Sequence, residues 1–88
     1  MRKTRAIVAA TAQAYMDEIA ARFPEVESEV VPGSIDGFDV WIRVKIPLDK
    51  WDVFDAVLDA TVKLNERYHR ERNVDITATV VDKEAAIV

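Results

Sequence analysis

Three aspartates in the second half of the chain have the type and spacing that suit metal binding. Asp52, Asp55 and Asp59 occupy positions i, i+3 and i+7, so a helix would carry them on one side. Carboxylate oxygens bind Mg²⁺ and Ca²⁺, but such sites usually recruit donors from more than one element. The same spacing fits a solvated face that complements the positive end of the helix dipole. The sequence therefore offers three candidate metal ligands and identifies no cofactor.

Residues for nucleophilic catalysis are scarce. The chain has one histidine, His69, no cysteine, and serine only at positions 28 and 34. A triad of Ser34, His69 and an aspartate lacks the local pattern expected around a catalytic serine. Arginines flank the histidine, which favours an ordinary surface position. We therefore expect a protein without catalytic activity, and a small enzyme whose site forms at a dimer interface is the third alternative.

The charge balance and the cysteine content restrict the class of protein. The 88 residues include 12 Lys and Arg against 16 Asp and Glu, a formal net charge of −4. Because proteins that bind nucleic acid usually present a basic surplus, nucleic acid is disfavoured as a partner. The lack of cysteine fits a reducing compartment, so we expect a cytoplasmic protein. No apolar run approaches the length of about 20 residues that a membrane-spanning helix needs.

One segment, residues 38–46, alternates apolar and polar side chains and predicts a half-buried strand. Its apolar side consists of Phe38, Val40, Ile42, Val44 and Ile46. The other side carries Trp41 among Asp39, Arg43 and Lys45. A tryptophan is thus predicted among charges, on the face expected to meet water.

The remaining elements follow from spacing and from turn residues. The sequence predicts a helix over residues 4–23, a strand over 25–31, the strand just described, a helix over 50–71, a strand over 74–80 and a tail over 82–88. Thr4 and Asp49 are the predicted N-caps. Pro24 is predicted to end the first helix, and Asn73 is the predicted left-handed end of the second. The apolar face predicted for the second helix is Trp51, Phe54, Val57, Leu58, Thr61, Val62, Asn65 and Tyr68.

The element order α-β-β-α-β predicts one α+β domain over residues 1–88. The first two strands form a hairpin, and the second and third strands flank the long helix in a right-handed βαβ unit. The longest and most apolar strand should be central. This arrangement gives a three-stranded mixed sheet of order 1-2-3 with two helices packed on one face, half of a ferredoxin-like fold. No helix is left to cover the opposite face.

The uncovered face is the predicted partner-binding site. Its residues are Val31, Trp41, Arg43, Thr77, Thr79 and Val81. We expect its valines and Trp41 to form an apolar patch with a charged rim, and exposed apolar patches often mark interfaces. The simplest partner is a second copy of the chain in a two-fold homodimer, and another protein is an alternative partner. Two further alternatives are a regulatory domain that binds a small ligand or divalent metal, and a Trp41 ring that lies over Lys and Arg stems without any partner.

The element order resembles that of two families. Residues 30–80 follow the hairpin–helix–strand layout of the cytoplasmic C-terminal domain of cation-diffusion-facilitator transporters, a dimeric ferredoxin-like module that binds divalent metal. The spacing is also similar to that of the alkaline-shock-protein group of small envelope-associated proteins. In place of the first family's metal-binding histidines stand Trp41 and Arg43 in the second strand, and Thr77 and Thr79 in the third. The second family's glycines, after the first helix and the second strand, are missing. The resemblance implies a topology, and no site residue is transferred from it.

Overall fold

The computed structural model describes residues 4–33 and 37–84. Its elements are α1 (Arg5–Arg22), β1 (Glu27–Val30), β2 (Val40–Ile46), a 3₁₀ helix (Leu48–Val53), α2 (Phe54–Arg72) and β3 (Ile76–Asp82). The sheet has the strand order β1-β2-β3, with β1 antiparallel and β3 parallel to β2. The predicted α+β fold, with its α-β-β-α-β order and three-stranded mixed sheet, is confirmed. Residues 85–88 of the predicted tail lie outside the described residues.

The core lies between the sheet and the two helices. Alternate residues of β2, Ile42, Val44 and Ile46, are fully buried, because successive side chains of a strand point to opposite faces. The rest of the core consists of Ala12, Tyr15, Ile19, Val26, Val57, Ala60, Leu64, Tyr68, Val74 and Ile76. Phe38 was predicted to share the buried face of β2. This prediction was wrong, since the strand begins at Val40 and Phe38 remains 45% exposed.

Two predicted helix boundaries are confirmed by their hydrogen bonds. Thr4 caps α1, because its hydroxyl oxygen accepts a hydrogen bond of 3.1 Å from the Ile7 N–H. Asn73 ends α2 in the left-handed conformation at φ 54°. Its N–H donates to the His69 carbonyl at 3.0 Å, which satisfies one of the free carbonyls at the helix end.

The start of the second helix differs from the prediction. Asp49 does not cap α2. Instead it lies within the 3₁₀ helix, and α2 begins at Phe54 without a side-chain cap. The Lys50 N–H donates to the Pro47 carbonyl at 2.9 Å, the i to i+3 bond of a 3₁₀ turn. This tighter turn brings the Trp51 and Phe54 rings into a stack, with centroids 4.9 Å apart.

The broad apolar face predicted for the second helix is divided in the structure. Val57, Thr61 and Tyr68 are buried, whereas Leu58 and Val62 are 42% and 50% exposed. Each residue of an α-helix is rotated by about 100° from the one before it, so Leu58 and Val62 lie to one side of the buried line. The sheet and α1 together are too narrow to cover the whole predicted face.

Candidate interaction surface

The sheet face opposite the helices is covered by no element of the described residues. We call it the open face. Its residues are Glu27, Glu29 and Val31 from β1 and the position after it, Trp41, Arg43 and Lys45 from β2, and Thr77, Thr79 and Val81 from β3. All six residues predicted for the partner-binding site therefore share one face. Whether they bind a partner stays a prediction.

Acidic and basic side chains form two adjacent rows on the open face. Glu27 pairs with Lys45 in the strand register, and Glu29 pairs with Arg43. The Glu29 carboxylate contacts Arg43 Nη1 at 3.3 Å and Lys45 Nζ at 3.5 Å. One row, on β1, is thus negative, and the neighbouring row, on β2, is positive.

Trp41 is held in place by its neighbours in the sheet. Its Nε1–H donates to the Thr79 hydroxyl at 2.9 Å. The Arg43 guanidinium lies 5.6 Å from the centre of the Trp41 ring, close enough for a cation–π interaction. The side chain is half-buried, and these two contacts fix the position of the ring in the sheet.

The apolar part of the open face is smaller than the sequence suggested. Val31 lies beside Trp41, since the Val31 N–H donates to the Trp41 carbonyl at 2.9 Å. Thr77 is the β3 neighbour of Trp41, but Val81 is the neighbour of Lys45. Four residues along a strand separate Val81 from Thr77, about 13 Å. The expected three-residue patch is therefore a Val31–Trp41 pair, with Val81 at the far end.

Lys83, just after β3, reaches across the sheet to β1. Its ammonium contacts the Glu27 carboxylate at 2.9 Å. This hydrogen bond, together with the charge of Lys83, lowers the pKa of Glu27. The contact connects the two outer strands at one end of the open face.

The three candidate metal ligands are exposed on the 3₁₀ helix and the first turns of α2. Asp52 and Asp55 make no ion pair with any described residue, and Asp59 binds Lys63 at 3.0 Å. Within residues 4–33 and 37–84, no three side chains of the His, Asp and Glu types are grouped to hold a metal ion. The helix therefore presents its aspartates to solvent rather than to a common point.

A second surface, which sequence analysis missed, runs along the side of α2. Its residues are Leu58 and Val62 on α2, which are exposed, and Phe38, which lines a cavity with Asn65 of the same helix. We call it the outer flank. Leu48 and Trp51, on the 3₁₀ helix that precedes α2, are exposed as well. Trp51, Leu58 and Val62 were predicted to belong to the broad apolar face of the second helix, and all three are exposed in the structure.

A polar cluster lies at one end of the outer flank. His69 Nδ1 is 2.6 Å from Asp75 Oδ1, so the ring is tied to the residue that precedes β3. Phe38, Asn65 and Ile76 line the same small cavity of about 290 Å³. The Asn65 side-chain oxygen is buried and has no hydrogen-bond partner among the described residues. His69 is therefore less isolated than its sequence neighbours indicated.

A groove of about 800 Å³ separates α1 from the edge of the sheet. Val8, Ala12 and Met16 line it from one side of α1, and Val30 and Val40 line it from the strands. The lining is mostly apolar, and the volume falls in the range of small-molecule sites.

Comparisons with known proteins identify no family for the chain. None of the helices in residues 4–33 and 37–84 combines the length and the apolar character required to cross a membrane. No protein-family model matches the chain, and no curated protein matches it.

Proposed function

We propose that this chain is a protein-interaction module that self-associates through the open face. The observation that carries the proposal is the pair of oppositely charged rows on a face that no described element covers. A cytoplasmic location belongs to the same proposal and is supported by the absence of cysteine from the sequence.

The two rows suit a second copy of the same face. Consider a two-fold axis that runs parallel to the strands, midway between β1 and β2. Each β1 then lies over the β2 of the other copy, so Glu29 meets Arg43 and Glu27 meets Lys45 across the interface. Sheets pack face to face with nearly aligned strands, and a self-complementary patch is what a two-fold contact requires. Charge complementarity of this kind fixes orientation more than it adds affinity.

The same axis gives Trp41 an apolar neighbour. Val31, the residue after β1, lies beside Trp41, so Val31 of one copy would cover Trp41 of the other. Tryptophan is enriched among the residues that carry most of the binding energy at interfaces. Because Thr79 and Arg43 already hold the ring, little side-chain freedom is lost when it is covered.

The experiment is a charge reversal with a matched rescue. Arg43→Glu would place a carboxylate opposite that of Glu29, both within the chain and across the interface. The repulsion should weaken association at least about tenfold. The double variant Glu29→Arg with Arg43→Glu exchanges the two charges and should restore association. Native mass spectrometry and sedimentation measure the mass, and circular dichroism confirms that each variant is folded.

Two results would count against this proposal. Association that is unaffected by Arg43→Glu in a folded chain would exclude the open face as the contact. A double variant as weak as the single one would show that the two rows do not face each other across the interface.

Small-ligand binding is a second candidate function, favoured by the groove between α1 and the sheet. Its volume of about 800 Å³ and its apolar lining suit an apolar molecule. Arg5 at one end of the groove makes no ion pair with the described residues, which suits a ligand that also carries an anionic group.

A further inference from the structure

The two edges of the sheet are protected to different degrees. β1 has only four residues, two of which are glutamates, and short charged strands resist pairing with other chains. β3 has seven residues, Ile76–Asp82, without proline or lysine. In the part of the chain that the structure describes, β2 is its only neighbouring strand. Among the described residues, the β3 edge is therefore the one that lacks the usual protection.

The hydrogen bonds between β2 and β3 determine which backbone groups of β3 can still bond to another strand. The Lys83 N–H donates to the Ile46 carbonyl at 2.9 Å, and hydrogen-bonding residues alternate along a parallel strand. The backbone groups of Thr77, Thr79 and Val81 therefore point to β2. Those of Ala78 and Val80 point away from the sheet, where another strand could pair with them.

The outer flank lies on the same side as this edge. Leu58 and Arg67 are nine residues apart on α2, about two and a half turns, so they point in opposite directions. Arg67 bonds Glu18 on α1, and Leu58 therefore faces away from α1. Further along the same flank, His69 lines a cavity with Ile76 of β3. The exposed apolar side of α2 thus stands beside the edge of β3 that no strand of residues 4–33 and 37–84 covers.

The charges along α2 indicate what covers this surface. Asp52 and Asp55 lie near its start and Arg70 near its end, and none of the three has an ion-pair partner among residues 4–33 and 37–84. In an antiparallel pair of α2 helices centred between Leu58 and Val62, the acidic start of each helix lies near Arg70 of the other. Their helix dipoles are then also opposed, which is favourable.

We infer that β3 and the outer flank together bind a second copy of the chain about a two-fold axis. The two β3 strands pair antiparallel, and two three-stranded sheets become one sheet of six strands. Leu58 and Val62 pack against their counterparts above the joined edge. This inference rests on the proposed function in one respect only, that the partner is another copy. The contact through β3 uses a different surface from the open face. A chain that uses both contacts therefore forms assemblies larger than a dimer.

The first test is Val62→Glu, with Val30→Glu as its matched control. Both valines are about half exposed, 50% and 45%, but Val30 lies on β1, far from the outer flank. A carboxylate buried without a partner at the joined edge should weaken this contact about 100-fold or more. Native mass spectrometry should show a lower mass for Val62→Glu and the parent mass for Val30→Glu. Equal masses for folded Val62→Glu and the parent would overturn the inference.

Amide hydrogen exchange provides a second, residue-specific test. At high protein concentration the amides of Ala78 and Val80 should be protected, and this protection should be lost on dilution or in Val62→Glu. The amides of Thr77 and Thr79, which bond to β2, should stay protected throughout. Fast exchange of Ala78 and Val80 at concentrations where the chain is associated would exclude strand pairing at this edge.

The contact through the open face and the contact through β3 and the outer flank can be excluded independently of each other. If Arg43→Glu leaves the mass unchanged and Val62→Glu lowers it, the open face is not the interface and the β3 contact stands. The reverse pattern overturns the β3 contact and leaves the proposed function in place. A monomeric parent protein at high concentration excludes both.

Discussion

Asp39 and Asp75 bind each other reciprocally at the start of the parallel strand pair. The Asp39 N–H donates to the Asp75 carbonyl at 2.7 Å, and the Asp75 N–H donates to the Asp39 carboxylate at 2.8 Å. The Asp75 carboxylate in turn contacts His69. Asp75, directly before β3, thus contacts the start of β2 through its carbonyl and His69, near the end of α2, through its carboxylate.

Replacing Asp39 with alanine should weaken the connection between the start of β2 and the start of β3. Asp39→Ala removes a charged acceptor from an exposed site, so we expect a loss of about 0.5–1.5 kcal/mol in the free energy of unfolding. Asp39→Asn keeps an acceptor oxygen and should lose less. Urea denaturation measures both values. Equal stability of Asp39→Ala and the parent would show that the Asp39 carboxylate contributes nothing to holding the strands together.

Tyr15 should make the fold sensitive to alkaline pH. Burial raises the pKa of Tyr15 well above its usual range, while in the unfolded chain tyrosine ionises near pH 10. Neutral Tyr15 therefore stabilises the fold fully below about pH 10, and this contribution decreases as the pH rises above that value. The difference in unfolding free energy between the parent and Tyr15→Phe should shrink accordingly. A constant difference up to about pH 11 would contradict this prediction.

Divalent cations should not raise the melting temperature of the protein. No group of suitable donors is assembled in residues 4–33 and 37–84, and Asp59 is engaged by Lys63. Thermal unfolding with and without millimolar Ca²⁺ or Mg²⁺ measures the effect. A rise that disappears in the double variant Asp55→Asn with Asp59→Asn would establish the metal-binding alternative that the sequence left open.

Filling the groove beside α1 should abolish ligand binding there without harming the fold. Ala9 is exposed and lines the groove, so Ala9→Trp would occupy the space while leaving the core intact. A medium-chain alkyl carboxylate should shift the NMR signals of Val8, Met16 and Val30 in the parent, but not in Ala9→Trp. Ala21→Trp, on an exposed part of α1 outside the groove, is the matched control. Absence of shifts in the parent would exclude this class of ligand.

The fold was predictable because its signals are local. Strict alternation over Val40–Ile46 identifies a strand with one buried face, and the position of this strand between a hairpin and a crossover helix makes it central. Thr4 and Asn73 marked helix ends through backbone chemistry that depends on neighbouring residues alone. The open face followed directly, because two helices could cover only one side of the sheet.

The surfaces were less predictable because they depend on distances between elements. Leu58 and Val62 continue the apolar face of α2, and only the width of the sheet beneath decides that they remain exposed. Val81 shares a face with Trp41, but the strand register separates them. Asp49 has the side chain of an N-cap, yet the turn after Pro47 closes with a backbone bond instead. Periodicity identifies faces and does not indicate how much of each face is covered.

The parallel pairing of β2 with β3 has a consequence for the order in which the chain folds. β2 contains the most deeply buried residues of the sheet, Ile42, Val44 and Ile46, and its second neighbour follows only after the whole of α2. During folding the hairpin of β1 and β2 can form through local contacts, but one edge of β2 stays open until the crossover through α2 brings β3 beside it. Partly folded chains with open apolar edges are targets for chaperones and sites of aggregation. Slow formation of α2 should therefore lower the yield of folded protein.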